Sequence, residues 1–135
     1  MTWLYGGTGD NQLNGGIGDD RLFAGGGIDQ LRGGAGQDVL HGGSGDDSLY
    51  GEDGNDLLAA WYGNDTISGG TGSDTLMIHF HSAGYRIEGT VQGGRLVDIA
   101  SGDGNLGLDQ FISIEKIVFL DRTLGWSGGT WNVLG

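Results

Sequence analysis

The chain of 135 residues contains no cysteine and only six basic residues, against eighteen acidic ones. Without thiols it can form neither disulfides nor thiolate metal sites. It also lacks a run of about eighteen apolar residues, so the sequence predicts no membrane-spanning helix. Residues 1–5 are too short to form a charged-then-apolar export signal at the amino terminus.

The formal net charge is -12, and the acidic residues are unevenly placed. Residues 6–77 hold twelve acidic and two basic side chains, whereas residues 79–135 hold six and four. Such an acidic array repels phosphate backbones and anionic lipids, so we expect neither nucleic acid nor an anionic membrane as a partner. Cations are the partners that this charge favours.

Eight consecutive nine-residue units fill residues 6–77 without a break in phase, each approximating Gly-Gly-x-Gly-x-Asp-x-(Leu/Ile)-x. The eighth position is always aliphatic, and the sixth is Asp in every unit except the first, which has Asn11. A strict period of this kind predicts a repeat architecture in which each unit stacks only on its neighbours. The length allows one such array with a cap.

Within a unit, the six glycine-rich residues at the start favour a tight turn, and the last three favour a short strand with one inward side chain. The glycine density excludes a helix. One turn and one strand reverse the chain, so two units complete a coil of eighteen residues. The sequence therefore predicts an all-β fold, a flat right-handed β-solenoid in which two parallel sheets bury the aliphatic eighth positions between them.

This interior is small for its length, because eight aliphatic side chains must compensate the entropy lost in ordering 72 residues, many of them glycine. The sixth-position carboxylates would also stack about 4.8 Å apart along each edge and repel one another. A divalent cation between successive coils converts that repulsion into coordination. Oxygen-only ligands favour calcium over zinc or copper, and the flexible coordination shell favours it over magnesium.

Cations are expected between units two apart, which gives about six calcium sites. On one edge the pairs are Asn11/Asp29, Asp29/Asp47 and Asp47/Asp65, and on the other they are Asp20/Asp38, Asp38/Asp56 and Asp56/Asp74. Asn11 lacks a charge, so its site should be the weakest. The candidate backbone carbonyl ligands belong to glycines at the second and fourth positions: Gly7, Gly9, Gly16, Gly18, Gly25, Gly27, Gly34, Gly36, Gly43, Gly45, Gly54, Gly63, Gly70 and Gly72.

The units resemble the RTX, or haemolysin-type, calcium-binding nonapeptides of proteins exported by bacterial type I secretion. The resemblance covers residues 6–77 and implies a parallel β-roll with calcium between turns of the same column. It also implies an extracellular location and a type I secretion apparatus as partner. Residues 2–5 match the last four positions of an earlier unit, so we expect a fragment of a larger exported protein.

Residues 1–77 are predicted to form the roll and residues 78–135 a carboxyl-terminal cap. A degenerate ninth unit fits residues 104–112, where Asp103, Asn105 and Asp109 form either a further calcium site or a polar loop. Residues 114–121 resemble the segment that closes such arrays and supply an apolar face for the open end. Further strands are expected at residues 85–87 and 95–99, with a turn at Gly93 and Gly94 between them.

Two aromatic or imidazole pairs stand outside the repeat pattern. Together with Ala60, Trp61 and Tyr62 replace the opening Gly-Gly-x of the seventh unit, which should alter the turn of the Asp47/Asp65 site. Their rings either stack on a sugar or, as we expect, pack under the carboxyl-terminal segment. His79 and His81 have a spacing that can chelate a metal on one face of a strand, but without a third ligand we expect two surface histidines.

No sequence motif of a protease, hydrolase or nucleotide-binding site is present, so we expect a chain without catalytic activity. Two functions fit. One is a module that folds on binding calcium outside the cell and supports the secretion and stability of a larger protein. The alternative is a carbohydrate- or surface-binding module of an adhesin or polysaccharide-modifying enzyme.

Overall fold

The computed structural model describes residues 1–79, 84–98 and 107–134 and is all-β. Its strands are β1 (Trp3–Thr8), β2 (Gln12–Ile17), β3 (Arg21–Gly26), β4 (Gln30–Ala35), β5 (Val39–Ser44), β6 (Ser48–Asp53), β7 (Leu57–Ala60), β8 (Thr66–Thr71), β9 (Thr75–Ile78), β10 (Tyr85–Thr90), β11 (Gly93–Asp98), β12 (Leu108–Ile112), β13 (Lys116–Val118), β14 (Thr123–Ser127) and β15 (Thr130–Leu134). No helix in these described ranges is long and apolar enough to cross a membrane.

From β1 to β9, successive strands alternate between two sheets. One sheet has the order β1-β3-β5-β7-β9-β13-β14-β15 and the other has the order β10-β11-β12-β8-β6-β4-β2. Within the repeats every pair is parallel with a register of eighteen residues, as in Leu22 opposite Leu40 and Leu31 opposite Leu49. Each coil therefore contains two units, and the predicted parallel β-roll is confirmed.

The strands are longer and the turns shorter than the sequence analysis predicts. Most strands contain the last three residues of one unit and the first three of the next, so that β2 continues through Gly15 and Gly16 to Ile17. Only the fourth, fifth and sixth positions form the turn. The glycine-rich opening extends because it pairs with its equivalent one coil on, as Gly16 does with Gly34, and glycine tolerates the positive φ that this kinked strand requires.

The core is a double row of aliphatic side chains from the eighth positions. These residues are at most 1 % exposed from the second unit onward: Leu22, Leu31, Leu40, Leu49, Leu58, Ile67 and Leu76. In the first coil, Leu4 and Leu13 are only partly buried, because each has a neighbouring coil on one side. The first position of each unit also faces inward, where Ala24 and Ala60 are buried.

The parallel stacking continues past the last regular unit. Strand β12 pairs with β8, so that Phe111 lies opposite Ile67, and β13 pairs with β9, so that Ile117 lies opposite Leu76. Two antiparallel hairpins, β10-β11 and β14-β15, then extend the two sheets. Residues 108–118 thus add a further coil. In the sheets the hairpins lie beyond this coil, with β11 next to β12 and β14 next to β13.

The predicted strands at residues 85–87 and 95–99 correspond to β10 and β11, which are longer. The predicted turn at Gly93 and Gly94 is wrong: both glycines belong to β11, and Val91 and Gln92 make the turn. Gly94 pairs with Gly89, where a side chain on Gly94 would overlap the ring of Phe111. Close packing under the hairpin, and not chain reversal, explains the glycine there.

Candidate metal sites between the coils

The sixth-position aspartates close the turns and are buried. Each stands at the end of a three-residue turn, immediately before a strand, and none is more than 2 % exposed: Asp20, Asp29, Asp38, Asp47, Asp56, Asp65 and Asp74. They stand at the turns between the strands, where the repeat pattern puts the sixth position. Each edge is an interior row of carboxylates alongside the aliphatic core, and not an open acidic surface.

One oxygen of each carboxylate is held by the backbone of the coil before it. The N–H of Asp20 donates to Oδ1 of Asp38 at 2.7 Å, and the N–H of Asp29 donates to Oδ1 of Asp47 at 2.9 Å. The same bond joins the remaining predicted pairs: Asn11/Asp29, Asp38/Asp56, Asp47/Asp65 and Asp56/Asp74. The fold therefore brings together all six pairs that the spacing of the repeats predicts.

The other carboxylate oxygen has no protein partner in most of these residues. The buried Oδ2 atoms without a hydrogen bond belong to Asp20, Asp29, Asp38, Asp47, Asp56 and Asp74. Leaving an ionised carboxylate oxygen buried and unpaired is costly, unless a cation or a proton satisfies it. This arrangement fits a metal ion in the turns.

In the column of Asp20, Asp38, Asp56 and Asp74, a backbone carbonyl oxygen lies beside this Oδ2 atom. A Cβ built on Gly15 would lie 2.7 Å from Oδ2 of Asp20 and 2.7 Å from the carbonyl oxygen of Gly33, one coil on. Gly33 has the same surroundings, formed by Oδ2 of Asp38 and the carbonyl oxygen of Gly51. Carboxylate and backbone oxygens from successive coils therefore converge beside the first glycine of the unit. These are the ligand types that calcium prefers.

Burial raises the pKa of these carboxyl groups. It raises the pKa of Asp47, Asp56 and Asp74 to about 6. Burial is the largest cause in each case, the backbone N–H bond opposes it, and the neighbouring carboxylate of the same column adds to it. The pKa of Asp65 rises to about 7 for the same reasons. A nearby positive charge would lower these pKa values and favour the ionised row.

The fourteen glycines proposed as carbonyl ligands share one backbone feature, a positive φ between 89° and 146°. The second position of the sixth unit has the same conformation although it is Glu52, with a φ of 79°. The turn geometry is thus kept where glycine is absent, at the cost of a strained residue. Glu52 also makes an exposed ion pair with Arg32 at 3.1 Å.

A second ladder of side chains was missed by the sequence analysis. Fifth-position oxygens accept the backbone N–H of the fifth residue one coil on, as Oδ1 of Asp19 does from Gln37 at 2.8 Å. The other acceptors are Asp10, Asp46, Asn55 and Asn64. This ladder runs in the opposite direction to that of the sixth position. Its signal was the recurrence of Asp or Asn at the fifth position in five of the eight units.

The carboxylate columns also continue beyond the repeats. Oδ1 of Asp109 accepts the N–H of Asp65 at 3.0 Å, and burial raises the pKa of Asp109 to about 8. In the other column, Oε2 of Glu115 accepts the N–H of Asp74 at 2.7 Å. The sequence analysis names Asp109 but treats residues 114–121 only as an apolar cap. Asp103 and Asn105 lie outside the described residues.

At the first site, Asn11 uses oxygens that a cation would need. Its amide nitrogen donates to the carbonyl oxygen of Gly9 at 2.5 Å and to Oδ1 of Asp29 at 3.2 Å. These bonds partly replace the role of an ion. The expectation that the Asn11/Asp29 site is the weakest stays a prediction, with a structural reason.

In the seventh unit, Trp61 ends strand β7 early, and the contact with β5 is resumed by a single bridge between Ser44 and Tyr62. The turn itself is kept, because Gly63 has a φ of 126° and Oδ1 of Asp65 accepts the N–H of Asp47 at 2.8 Å. The substitution therefore alters the strand before the turn more than the Asp47/Asp65 pair.

The ring of Trp61 packs against two histidines on the outside of the roll. Its centroid lies 4.4 Å from that of His41 and 4.9 Å from that of His79, with edge-to-face geometry in both cases. Trp61 is half-buried, whereas Tyr62 is exposed. Trp61 is thus not a free platform for a sugar ring. The carbohydrate role of Trp61 and Tyr62 stays a prediction.

Among the described residues, no three carboxylate, imidazole or thiolate side chains converge on one point. This follows from the repeat, which supplies one sixth-position carboxylate per coil in each column, so backbone carbonyls must complete any coordination shell. A family model of the RTX calcium-binding nonapeptide repeat matches residues 2–31, 23–58 and 41–76. A comparison with curated proteins finds no match.

Proposed function

Because this chain belongs to the RTX calcium-binding nonapeptide repeat family, we propose that its calcium-binding roll is a non-catalytic module that folds outside the cell. Folding on calcium would support the secretion and stability of a larger exported protein. The observation that carries the proposal is the set of six buried Oδ2 atoms without a protein partner. Calcium supplies the missing positive charge in each row.

The buried rows explain why folding and binding should be one event. Without calcium, each coil added to the roll buries another carboxylate beside the one before it, and that cost grows with the length of the column. With calcium, the same stacking completes an ion site. A ligand that binds only the stacked state stabilises it in proportion to the ligand concentration over the dissociation constant.

We propose eight inter-coil ions. Six lie between the pairs of the regular repeats, from Asn11/Asp29 to Asp56/Asp74. Two more use the pairs Asp65/Asp109 and Asp74/Glu115, which have the same hydrogen-bonded contact between coils. Glu115 stands where the regular units have an aspartate, and its side chain is longer. We therefore expect the Asp74/Glu115 site to have a less rigid geometry than the Asp65/Asp109 site.

Folding that depends on calcium would suit a secreted protein. A chain that stays unfolded at low intracellular calcium can pass a type I export channel and then fold at the millimolar calcium level outside. The proposed ligands are the buried aspartates, Glu115 and backbone carbonyl groups of the glycine-rich openings, which include the positive-φ glycines and the first-position glycines Gly33 and Gly51.

Circular dichroism during a calcium titration tests the proposal. The chain should lack strand signal in chelator and gain it cooperatively as calcium is added. Asp56→Asn should shift the midpoint to higher calcium, because Asp56 is buried between coils. Asp53→Asn is the matched control, since it removes the same charge from an exposed residue of the same unit. A chain equally folded in excess chelator would contradict the proposal, as would equal shifts in the two variants.

A further inference from the structure

The outer face of the sheet that contains β5, β7 and β9 brings two histidine rings close together. His41 lies on β5, and His79 follows directly after β9, two strands away. On the strand between, Ala59 of β7 is in register with His41 and with Met77 of β9, two residues before His79. Ala59 is only 3 % exposed although it points outward, so larger neighbouring side chains cover it. The small residue leaves room for the imidazoles to approach each other across the strand.

The rings of His41, His79 and Trp61 form a triangle. The two imidazole centroids are 6.1 Å apart, and Trp61 lies beside both of them at 4.4 Å and 4.9 Å. Two imidazole nitrogens that each bind one metal ion at ~2.0–2.1 Å place their ring centres roughly 5 to 6.5 Å apart. The observed separation therefore allows one ion to bridge the two rings, with Trp61 at its side.

The chemistry of the pair suits a transition metal. Imidazole binds metals through either ring nitrogen and is the commonest metal ligand among side chains. On its other side His41 packs against Phe23, whose ring centroid is 5.8 Å away, and this contact limits its orientation. Imidazole ligands favour copper, nickel and zinc over calcium.

We propose that His41 and His79 bind one divalent transition-metal ion on the outer face of the roll, separate from the calcium sites and flanked by Trp61. Water completes its coordination shell, since the pair supplies two protein ligands. Copper(II) should bind most tightly among copper, nickel and zinc, because affinity for nitrogen ligands rises to copper along the first-row series. The site needs His41 and His79 from different coils, so it exists only in the folded roll.

The test is a titration of the calcium-saturated chain with copper(II) chloride, followed by tryptophan fluorescence and isothermal titration calorimetry. Saturating calcium occupies the carboxylate and carbonyl oxygens, so that copper bound at the carboxylates does not contribute to the signal. We expect one ion per chain and quenching of Trp61, which Trp61→Phe should remove without removing the heat of binding. His41→Gln and His79→Gln should each weaken binding by at least the ~10- to 100-fold that is typical of losing a supporting group at a metal site.

His81→Gln is the matched control, because it removes the third histidine of the chain. Retained binding in His81→Gln together with loss in His41→Gln and in His79→Gln supports the proposal, and loss in His81→Gln as well would overturn the two-ligand site. Binding that survives His41→Gln but not His81→Gln would overturn it in favour of a His79/His81 chelate. Binding unchanged in all three variants, or no binding at all, would also overturn it. Circular dichroism in calcium confirms that each variant is folded.

Discussion

At the scale of single residues, the second position of each unit shows how backbone conformation and packing act separately. Gly16 and Gly34 have nearly the same φ, 101° and 108°. A Cβ on Gly16 would have no neighbour within 4 Å, whereas one on Gly34 would overlap the carbonyl group of Gly16. The first coil is open on one side, and every later second-position glycine in the column faces the backbone of the coil before it.

This difference predicts unequal effects of the same substitution. Gly16→Ala should lower the free energy of unfolding by about 1–2 kcal/mol, the cost of a left-handed conformation for a residue with a Cβ. Gly34→Ala should cost clearly more, because the coils must also separate. Denaturant unfolding of the calcium-saturated chain measures both. Equal losses would mean that contact between coils does not depend on this glycine.

Glu52 offers the reverse experiment. Its φ of 79° is unfavourable for a side chain with a Cβ, so Glu52→Gly should stabilise the roll by about 1 kcal/mol once the left-handed strain is removed. The lost ion pair with Arg32 reduces this gain only slightly, because both partners are exposed. Arg32→Gln, which breaks the ion pair and also removes the contact of the guanidinium with the Tyr50 ring, is the control for thermal denaturation. A lower melting temperature in Glu52→Gly than in Arg32→Gln would contradict this interpretation.

At the scale of the elements, the turn and the strand of each unit were predictable to different degrees. The nine-residue phase predicts which aspartates meet, because a coil of eighteen residues aligns every second unit. The nine-residue phase does not reveal that the Gly-Gly-x opening extends the strand. Its glycine content favours a turn, and it becomes part of the strand only because it pairs with the next coil. The place of Glu115 in a carboxylate column was not predicted for a similar reason, because it depends on the pairing of β13 with β9.

Asn11 tests the columns directly. Asn11→Asp should strengthen calcium binding at the first site, because it restores the carboxylate and removes the amide donor to Gly9 and Asp29. In calcium-free buffer the same change should destabilise any residual fold, since two carboxylates then face each other. Asn14→Asp adds the same charge at an exposed strand position and should do neither. Calorimetric calcium titration measures the effect, and equal behaviour of the two variants would count against the site.

At the scale of the whole molecule, the roll balances an acidic interior against bound cations. Buried aspartates line both edges along the full stack of coils, and the aliphatic core between them is only two rows wide. The cap adds one more coil and two hairpins to this stack. The stability of the roll should therefore depend on both pH and calcium, because the same buried carboxylates bind protons and calcium.

The calcium-free chain should be more stable in acid than at neutral pH. In the folded state the pKa of these carboxyls is raised, to about 6 for Asp47 and about 8 for Asp109, from an ordinary value of 3.8. The folded state therefore binds more protons than the unfolded state between about pH 4 and pH 8, and its stability falls as pH rises through that window. The strand signal in circular dichroism at pH 4.5 and pH 8 in calcium-depleted buffer measures this. A strand signal that rises with pH would contradict it.

The central claim is that calcium lies between the coils, bound by the unpartnered oxygens of the buried aspartates. Anomalous X-ray scattering from crystals grown in calcium locates the ions directly. We predict two columns of peaks, each peak about 2.3–2.6 Å from an Oδ2 atom and from a backbone carbonyl oxygen. Crystals of folded protein in millimolar calcium with no anomalous peak beside Asp38, Asp47 or Asp56 would contradict the account.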